Sequence, residues 1–375
     1  MDFQPQDVVK RCFQAAYGAE HLLLDKNAAR AYFDEEMSTC SNSEVILIES
    51  LSLDVCRVNM GAWKALGFPT EWLFNLFALS ASTPRENADE YFQKSLIQAE
   101  KQTQEGAFPF SFADWQEYIS AYKTRPPHPV RHSQEYRDHH NPAYRVISGK
   151  YVRLLRVFSV LAEKPWGNGT CTLPNGTVNV ANASRAQTPS PQNFGFCNLD
   201  MNENLSPKVL IISIDGRAGS GKSTLAEGLA QVAGAAVVRM DDFFLPVNMR
   251  TEERLSQVGG NVHYERFAEE VLPFLRSGAA FSYNVFDCGV GDFCGVREIP
   301  AAPILVVEGS YSCHPFFGDY ADFRVFADVS PDEQLRRIEF RNGKDIAKIF
   351  ADKWIPAEEM YFKQHSILQN ADVVI

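Results

Sequence analysis

In the nine-residue stretch Gly216-Arg217-Ala218-Gly219-Ser220-Gly221-Lys222-Ser223-Thr224, the first eight fit the pattern G-x-x-x-x-G-K-[S/T] in full. Glycines at this spacing let successive backbone N–H groups turn inward around an anion, and a helix that starts at the lysine aims its positive end at the same point. The chemistry implied is a grip on the phosphate tail of a nucleotide. Lys222 would reach the β- and γ-phosphates, Ser223 would ligate Mg²⁺, and Gly216, Ala218, Gly219, Ser220, Gly221 and Thr224 would line the cradle. The pattern carries this meaning only between a strand and a helix. Val209 to Ile214 before it and Leu225 to Val232 after it supply both.

Further groups suited to phosphoryl chemistry follow at the ends of later apolar runs. Asp241 and Asp242 close the run Ala235 to Met240, at the carboxyl edge where open α/β sheets bind ligands. Either could take a proton from an attacking hydroxyl; either could also merely cap a loop. Glu308 ends Ile304 to Val307 and is a candidate Mg²⁺ partner through water, or a simple strand-end carboxylate. Arg337 and Arg341 lie four apart on one helix face past Phe323 to Val329, so both could steady a transferring phosphoryl group, or form a solvated face.

The elements that must position these groups are short β-branched strands alternating with helices. With Asp372 to Ile375 as a closing strand, residues 207–375 read as a parallel sheet covered on both faces. Before them, residues 164–206 are rich in Gly, Asn, Thr, Ser and Pro and read as a linker or long loop. Residues 1–163 read as a mainly helical domain. Helices are expected over 7–17, with Val8, Val9, Cys12 and Phe13 on one face, from Thr70 as cap, and over 85–104, 112–122 and 143–161. A strand near 44–49 would pair with 52–59.

The 36 basic and 47 acidic residues give a net charge of −11, which argues against nucleic acid as a partner. Apolar residues at 45% and charged residues at 22% fit a packed fold. No apolar run approaches the roughly 18 residues of a membrane span. Asp2 and Asp7 stand where a secretory leader would be basic and then apolar, so a cytoplasmic location is expected. The eight cysteines, at 12, 40, 56, 171, 197, 288, 294 and 313, include no C-x-x-C pair and read as reduced thiols. The Asn-x-Ser/Thr triplets at Asn168, Asn175 and Asn182 then carry no glycosylation meaning.

Residues 207–375 resemble the uridine kinase family of P-loop kinases, relatives of phosphoribulokinase and bacterial pantothenate kinase. The likeness runs in order through the phosphate loop, Asp241 to Phe244, His263 to Leu272, Tyr283 to Asp287, Val307 to Gly309, Arg337 with Arg341, and Lys353 to Pro356. It implies a nucleoside-kinase-like fold with five parallel strands, ATP and Mg²⁺ as donor complex, and an arginine-bearing lid. It also implies Asp241 as general base, with Asp242 in reserve. On the acceptor side it implies Asp242, Phe244, His263, Arg266, Phe286 and Asp287. Two positions depart from the family pattern. Val262 stands where uridine–cytidine kinases carry an acid, and Cys288-Gly289 follows Asp287 without their histidine, so the groups that read a pyrimidine riboside are partly absent.

The first segment resembles only uncharacterised bacterial proteins. Its polar concentration, His128 to Arg145, could be a solvated loop, an anion or substrate site built from its arginines and tyrosines, or a metal set from His132, Glu135, His139 and His140. Glu20 and His21 read as a helical pair. The leading functional expectation is an ATP-dependent kinase for a small hydroxyl-bearing metabolite, and a homo-oligomer is compatible with it. Against it stand a nucleotide-controlled regulatory module and a two-activity fusion. A GTPase would carry an N-K-x-D motif; Asn342-Gly343-Lys344-Asp345 has the order wrong.

Overall fold

The computed structural model describes residues 3–19, 26–40, 47–52, 54–82, 86–164, 171–173, 176–178 and 209–375. Glu20, His21, Asn168, Asn175, Asn182 and most of 164–206 lie outside them. The chain forms two compact units, Met1–Val152 and Arg153–Ile375.

The first unit is mainly helical around one small sheet. Pro5–Tyr17 begins with a capping box between Gln4 and Asp7, and its Val8, Val9, Phe13 and Ala16 pack on Phe92, Leu96, Trp115 and Ile119. Those partners come from the helices Ala88–Gln104 and Phe112–Tyr122. The helix Thr70–Ala81 starts at Thr70 itself, with Pro69 in the cap position. Strands β1 (Ile48–Ser52), β2 (Val55–Asn59) and β3 (Tyr144–Ser148) form an antiparallel sheet in that order.

The third strand corrects the helix expected over 143–161. Residues 144–148 pair with β2 from Tyr144 opposite Asn59 to Ser148 opposite Val55, a ladder that outweighs local helical periodicity in Tyr-Arg-Val-Ile-Ser. A short 3₁₀ turn, Gly149–Tyr151, then leads into the helix Val152–Glu163. From Arg153 onward that helix belongs to the second unit: Leu154 packs against Gly228, and Lys164 just beyond the helix binds Asp372 at 2.8 Å. Two three-residue strands, β4 (Cys171–Leu173) and β5 (Gly176–Val178), pair antiparallel.

The second unit is an α/β sandwich. Strands β6 (Leu210–Gly216) and β7 (Ala236–Arg239) are followed by an antiparallel hairpin, β8 (Phe281–Asp287) and β9 (Asp292–Ile299), which the sequence analysis does not anticipate. Then come β10 (Ile304–Glu308), β11 (Phe323–Ala327) and β12 (Val373–Val374). Five of these run parallel in the order β12-β11-β6-β10-β7. Every residue of β6 and β10 is buried, as continuous apolar runs in a doubly covered sheet require. The central strand β6 therefore delivers the phosphate-binding pattern to the middle of the carboxyl edge. Helices Pro331–Asn342, Lys344–Ile349 and Ile355–Gln364, with a π turn over Phe350–Trp354, cross the same edge.

Gly216 is fixed by its neighbours. Its φ is +132°, and a Cβ there would stand 2.1 Å from the Ala327 carbonyl oxygen, backbone of the adjoining strand that cannot step aside. Gly234, at φ +68°, has open space around the same position. Gly216→Ala is expected to cost on the order of 4 kcal/mol or more, whereas Gly234→Ala should cost only about 1 kcal/mol of backbone strain. Thermal and denaturant unfolding of the two variants checks this; equal losses would show that the close approach to β11 is not what requires glycine.

Candidate active site

The loop after β6 is held from outside by cations. Lys222 donates to the carbonyl oxygens of Gly216 (2.7 Å) and Arg217 (3.0 Å), Arg337 donates to that of Gly219 (3.1 Å), and Arg153 donates to that of Ser220. Because a peptide's carbonyl and N–H point opposite ways, pinning these oxygens sets which way the neighbouring amides face. Gly221, at φ +94°, caps the helix Lys222–Ala233, whose positive end thus opens at the loop. Arg217 is itself clamped by Glu359 (2.7 and 3.1 Å) and by Asp328.

Beside the loop stand two carboxylates, Glu308 and Asp241, each with raised proton affinity. Glu308, buried at the end of β10, accepts the Ser223 hydroxyl at 3.2 Å and an Arg239 contact at 3.4 Å. Burial first, and then the charge of Asp241, push Glu308 above the ordinary range. Asp241 is exposed where it lines the cavity, with protein crowding the carboxylate's surroundings. That enclosure raises its pKa, the Asp242 charge adds to the rise, and Lys222 and Arg341 oppose it. Two hard oxygen donors with an adjacent hydroxyl suit a Mg²⁺ ion, whose charge would relieve the repulsion.

These groups line one cavity of 790 Å³. The expected residues Ala218, Gly219, Gly221, Lys222, Ser223, Thr224, Asp241, Phe244, Glu308, Arg337 and Arg341 all face it. Gly216 and Ser220 shape the loop from behind. The remaining acceptor-side expectations go elsewhere. Asp242 is buried and bonded by Arg297 (2.7 and 3.2 Å) and the Tyr283 hydroxyl (2.9 Å). Arg266 is buried, donating to the carbonyls of Asp242 (2.6 Å) and Asn284 (2.7 Å). The His263 ring caps a helix by accepting the Arg266 amide. Phe286 is buried against Phe293, and Asp287 closes the β8–β9 turn through the amides of Gly289 and Val290. These five are engaged by the protein's own groups.

Other residues reach the cavity without having been expected there. They include Arg250, Leu255, Asn261 and Cys288, and, from the C-terminal helices, Ile346, Phe350, Lys353 and Trp354. Glu358 is the least anticipated. Its buried carboxylate accepts the Ala218 amide at 3.0 Å and the Ser310 hydroxyl at 2.7 Å, and burial raises its pKa. Lys353 to Pro356 was the nearest sequence signal, two residues short of it. In the first unit, His132 sits between Asp7 and Tyr144 and the His139 ring meets the Glu135 carbonyl. Among the described residues no group of three or more His, Cys, Asp or Glu side chains gathers for a metal.

The strand order and loop give the second unit an α/β P-loop fold, a five-stranded parallel sheet flanked by helices. Its resemblance is to uridine kinase-like P-loop proteins. No family model matches the chain. Among solved structures it is similar to a Bacillus stearothermophilus protein described as a possible uridine kinase, at 21% identity over 46% of this chain and 91% of that one, with a TM-score of 0.36. It is also similar to a protein from Silicibacter sp. TM1040 provisionally named a fructose transport system kinase, at 23% identity over 47% and 93%, with a TM-score of 0.38. No helix among the described residues is long and apolar enough to cross a membrane.

The two adjacent aspartates should separate in a simple test. Asp242→Asn breaks a paired, buried carboxylate and is expected to lower stability by about 2 kcal/mol, discounted because Arg297 remains partly solvated. Asp241→Asn removes the charge of an exposed carboxylate that partial desolvation already disfavours, and should leave stability unchanged or slightly raised. Urea unfolding of both variants decides it, and a larger loss for Asp241→Asn would reverse the structural assignment.

Proposed function

We propose that the second unit transfers the γ-phosphoryl group of ATP to a hydroxyl of a small metabolite. The observation that carries this reading is the extent of the cavity. It runs from Lys222, Ser223 and Thr224 past Asp241 to Phe244, Arg250, Asn261 and Cys288, leaving room for a second molecule beside the phosphates. A site that only held a nucleotide would need no such extension beyond its phosphates.

In this reading the loop amides and Lys222 hold the β- and γ-phosphates. Mg²⁺, bound through Ser223 and, by way of water, Glu308, would neutralise phosphate charge. Asp241 accepts the proton of the acceptor hydroxyl as its oxygen meets the phosphorus. Arg337 and Arg341, approaching from the helix Pro331–Asn342, take up charge on the transferring group. The protein's contribution is placement and a fixed field more than covalent chemistry. The acceptor pocket mixes Phe244 and Leu255 with Arg250 and Asn261, which suits a polar alcohol more than an apolar one.

The test is ADP formation by the intact protein with Mg·ATP and a panel of nucleosides, sugars, sugar phosphates and pantothenate-like alcohols. At least one acceptor should stimulate turnover. Lys222→Ala should lower it roughly 10³-fold and Asp241→Asn roughly 10²- to 10⁴-fold with ATP binding retained. ATP binding without stimulation by any acceptor would favour a regulatory nucleotide switch instead.

The pH dependence follows from the direction of the Asp241 shift. A general base acts ionised, so the rate should rise with pH through its pKa, and burial places that rise above the ordinary aspartate range. A pH–rate profile with the stimulating acceptor checks this; an acid limb at or below ordinary aspartate values would remove Asp241 from the role.

A further inference from the structure

The first unit holds a polar constellation that phosphoryl transfer does not use. Asp7, Lys10 and Gln14 stand at i, i+3 and i+7 of the helix Pro5–Tyr17 and share one face. Asp7 is fully buried. It accepts the Ser133 amide (3.0 Å) and hydroxyl (2.6 Å) and meets Nδ1 of His132 at 2.8 Å. The other His132 nitrogen, Nε2, lies 2.7 Å from the Tyr144 hydroxyl. Burial holds His132 below its usual pKa; burial alone would raise Asp7, but its bonds to His132 and Ser133 keep it low. A carboxylate can only accept, so the neutral ring carries its proton on Nδ1, and Nε2 accepts from Tyr144.

The chain of bonds continues behind Tyr144. Gln14 donates to the Tyr144 oxygen at 3.2 Å and accepts from Arg57 at 2.6 and 2.9 Å. Arg57, buried, packs over the Tyr144 ring at 4.4 Å and reaches Glu49 at 3.1 Å. Burying so many polar groups is costly, and the result is a wall whose members are each oriented by a neighbour.

That wall bounds a cavity of 290 Å³. Gln14, His132 and Tyr144 line it together with Lys10, Arg145 and Glu36, and Phe13, Phe77, Val130 and Val146 supply apolar surface. Lys10 donates to the Val130 carbonyl at 2.9 Å, and Arg145 pairs with Glu36 at 2.7 Å while packing over Phe33. The lining thus holds two cations, one carboxylate and a neutral histidine. Burial, and then the nearby Arg57 charge, push Lys10 down to about 8, a strain that a bound negative charge would relieve.

We propose that this cavity binds a small organic anion, a carboxylate or phosphate ester with a compact apolar body, whose charged end meets Lys10 and Arg145. The Asp7–His132–Tyr144 chain acts as the rigid support of the wall. The small volume excludes a nucleotide, and the excess of cations disfavours amines.

Ligand-observed NMR and calorimetry on the full chain test this with benzoate and phenyl phosphate as probes, and benzylamine and benzyl alcohol as controls. Saturable binding of at least one anion is expected, and the tighter of the two identifies the head group. Lys222→Ala should bind it as well as wild type does, which separates this site from the phosphate loop. Lys10→Met should weaken binding at least tenfold, and Ala29→Leu, which fills the cavity without changing charge, should abolish it. A thermal melt identifies any variant that fails to fold, and if Lys10→Met does, Ala29→Leu decides. No saturable binding of either anion, equal binding of benzylamine, or binding indifferent to a folded Lys10→Met or Ala29→Leu would overturn the proposal.

Discussion

The turn after β6 depends on positive side chains holding its carbonyl oxygens outward. Four acceptors, on Gly216, Arg217, Gly219 and Ser220, are met by Lys222, Arg337 and Arg153, which come from three different helices. Each bond is modest alone, but together they fix peptide planes that glycine would otherwise leave free. The loop's preference for anions therefore comes from the surrounding fold as much as from its own sequence. Asp215, fully buried one residue earlier, extends the same logic inward by accepting the amides of Gly216, Tyr311 and Cys313 and the Tyr361 hydroxyl.

Around this loop the acidic groups divide by whether they are paired. Asp242 is spent on Arg297 and Tyr283, and Asp215 on backbone amides, so both serve the architecture. Asp241 and Glu308 face the cavity, and the charge of Asp241 disfavours that of Glu308. Adjacent carboxylates with such different surroundings let one short segment carry both a structural anchor and a carboxylate open to a cavity. Glu358 is an intermediate case: a buried carboxylate on the lid side that engages the Ala218 amide, linking the position of the helix Ile355–Gln364 to the shape of the loop.

What could be read from the sequence follows from how local each signal is. The nine-residue loop and the buried β-branched strands are defined by spacing over a few residues, so they were legible, as were the helices Phe112–Tyr122 and Pro5–Tyr17 to within two residues. Strand β3 was not, because its partner Val55–Asn59 lies some ninety residues away and nothing local announces the pairing. The hairpin β8–β9 was missed although its first strand carries a recognised motif, since Gly-rich turns between half-exposed strands show little periodicity. His263, Arg266, Phe286 and Asp287 follow the family's motifs in order, yet order does not say which way a side chain points. Arg250, Cys288 and Glu358 reach the cavity from loops and a helix end that carry no pattern of their own.

The two polar cavities hold charge by different physical means. Beside the phosphate loop, the attraction for an anion rests on oriented amides, a helix end and arginines, none of which changes charge near neutral pH. In the first unit it rests on side chains, with Lys10 titrating near 8 beside Arg57, and with orientation supplied by Asp7 and His132. A backbone cradle suits a multiply charged tail whose geometry is constant. A cage of side chains, bounded by aromatic surface and far smaller, suits a singly charged group attached to something apolar, because each donor can be matched to one oxygen and the remaining wall to carbon.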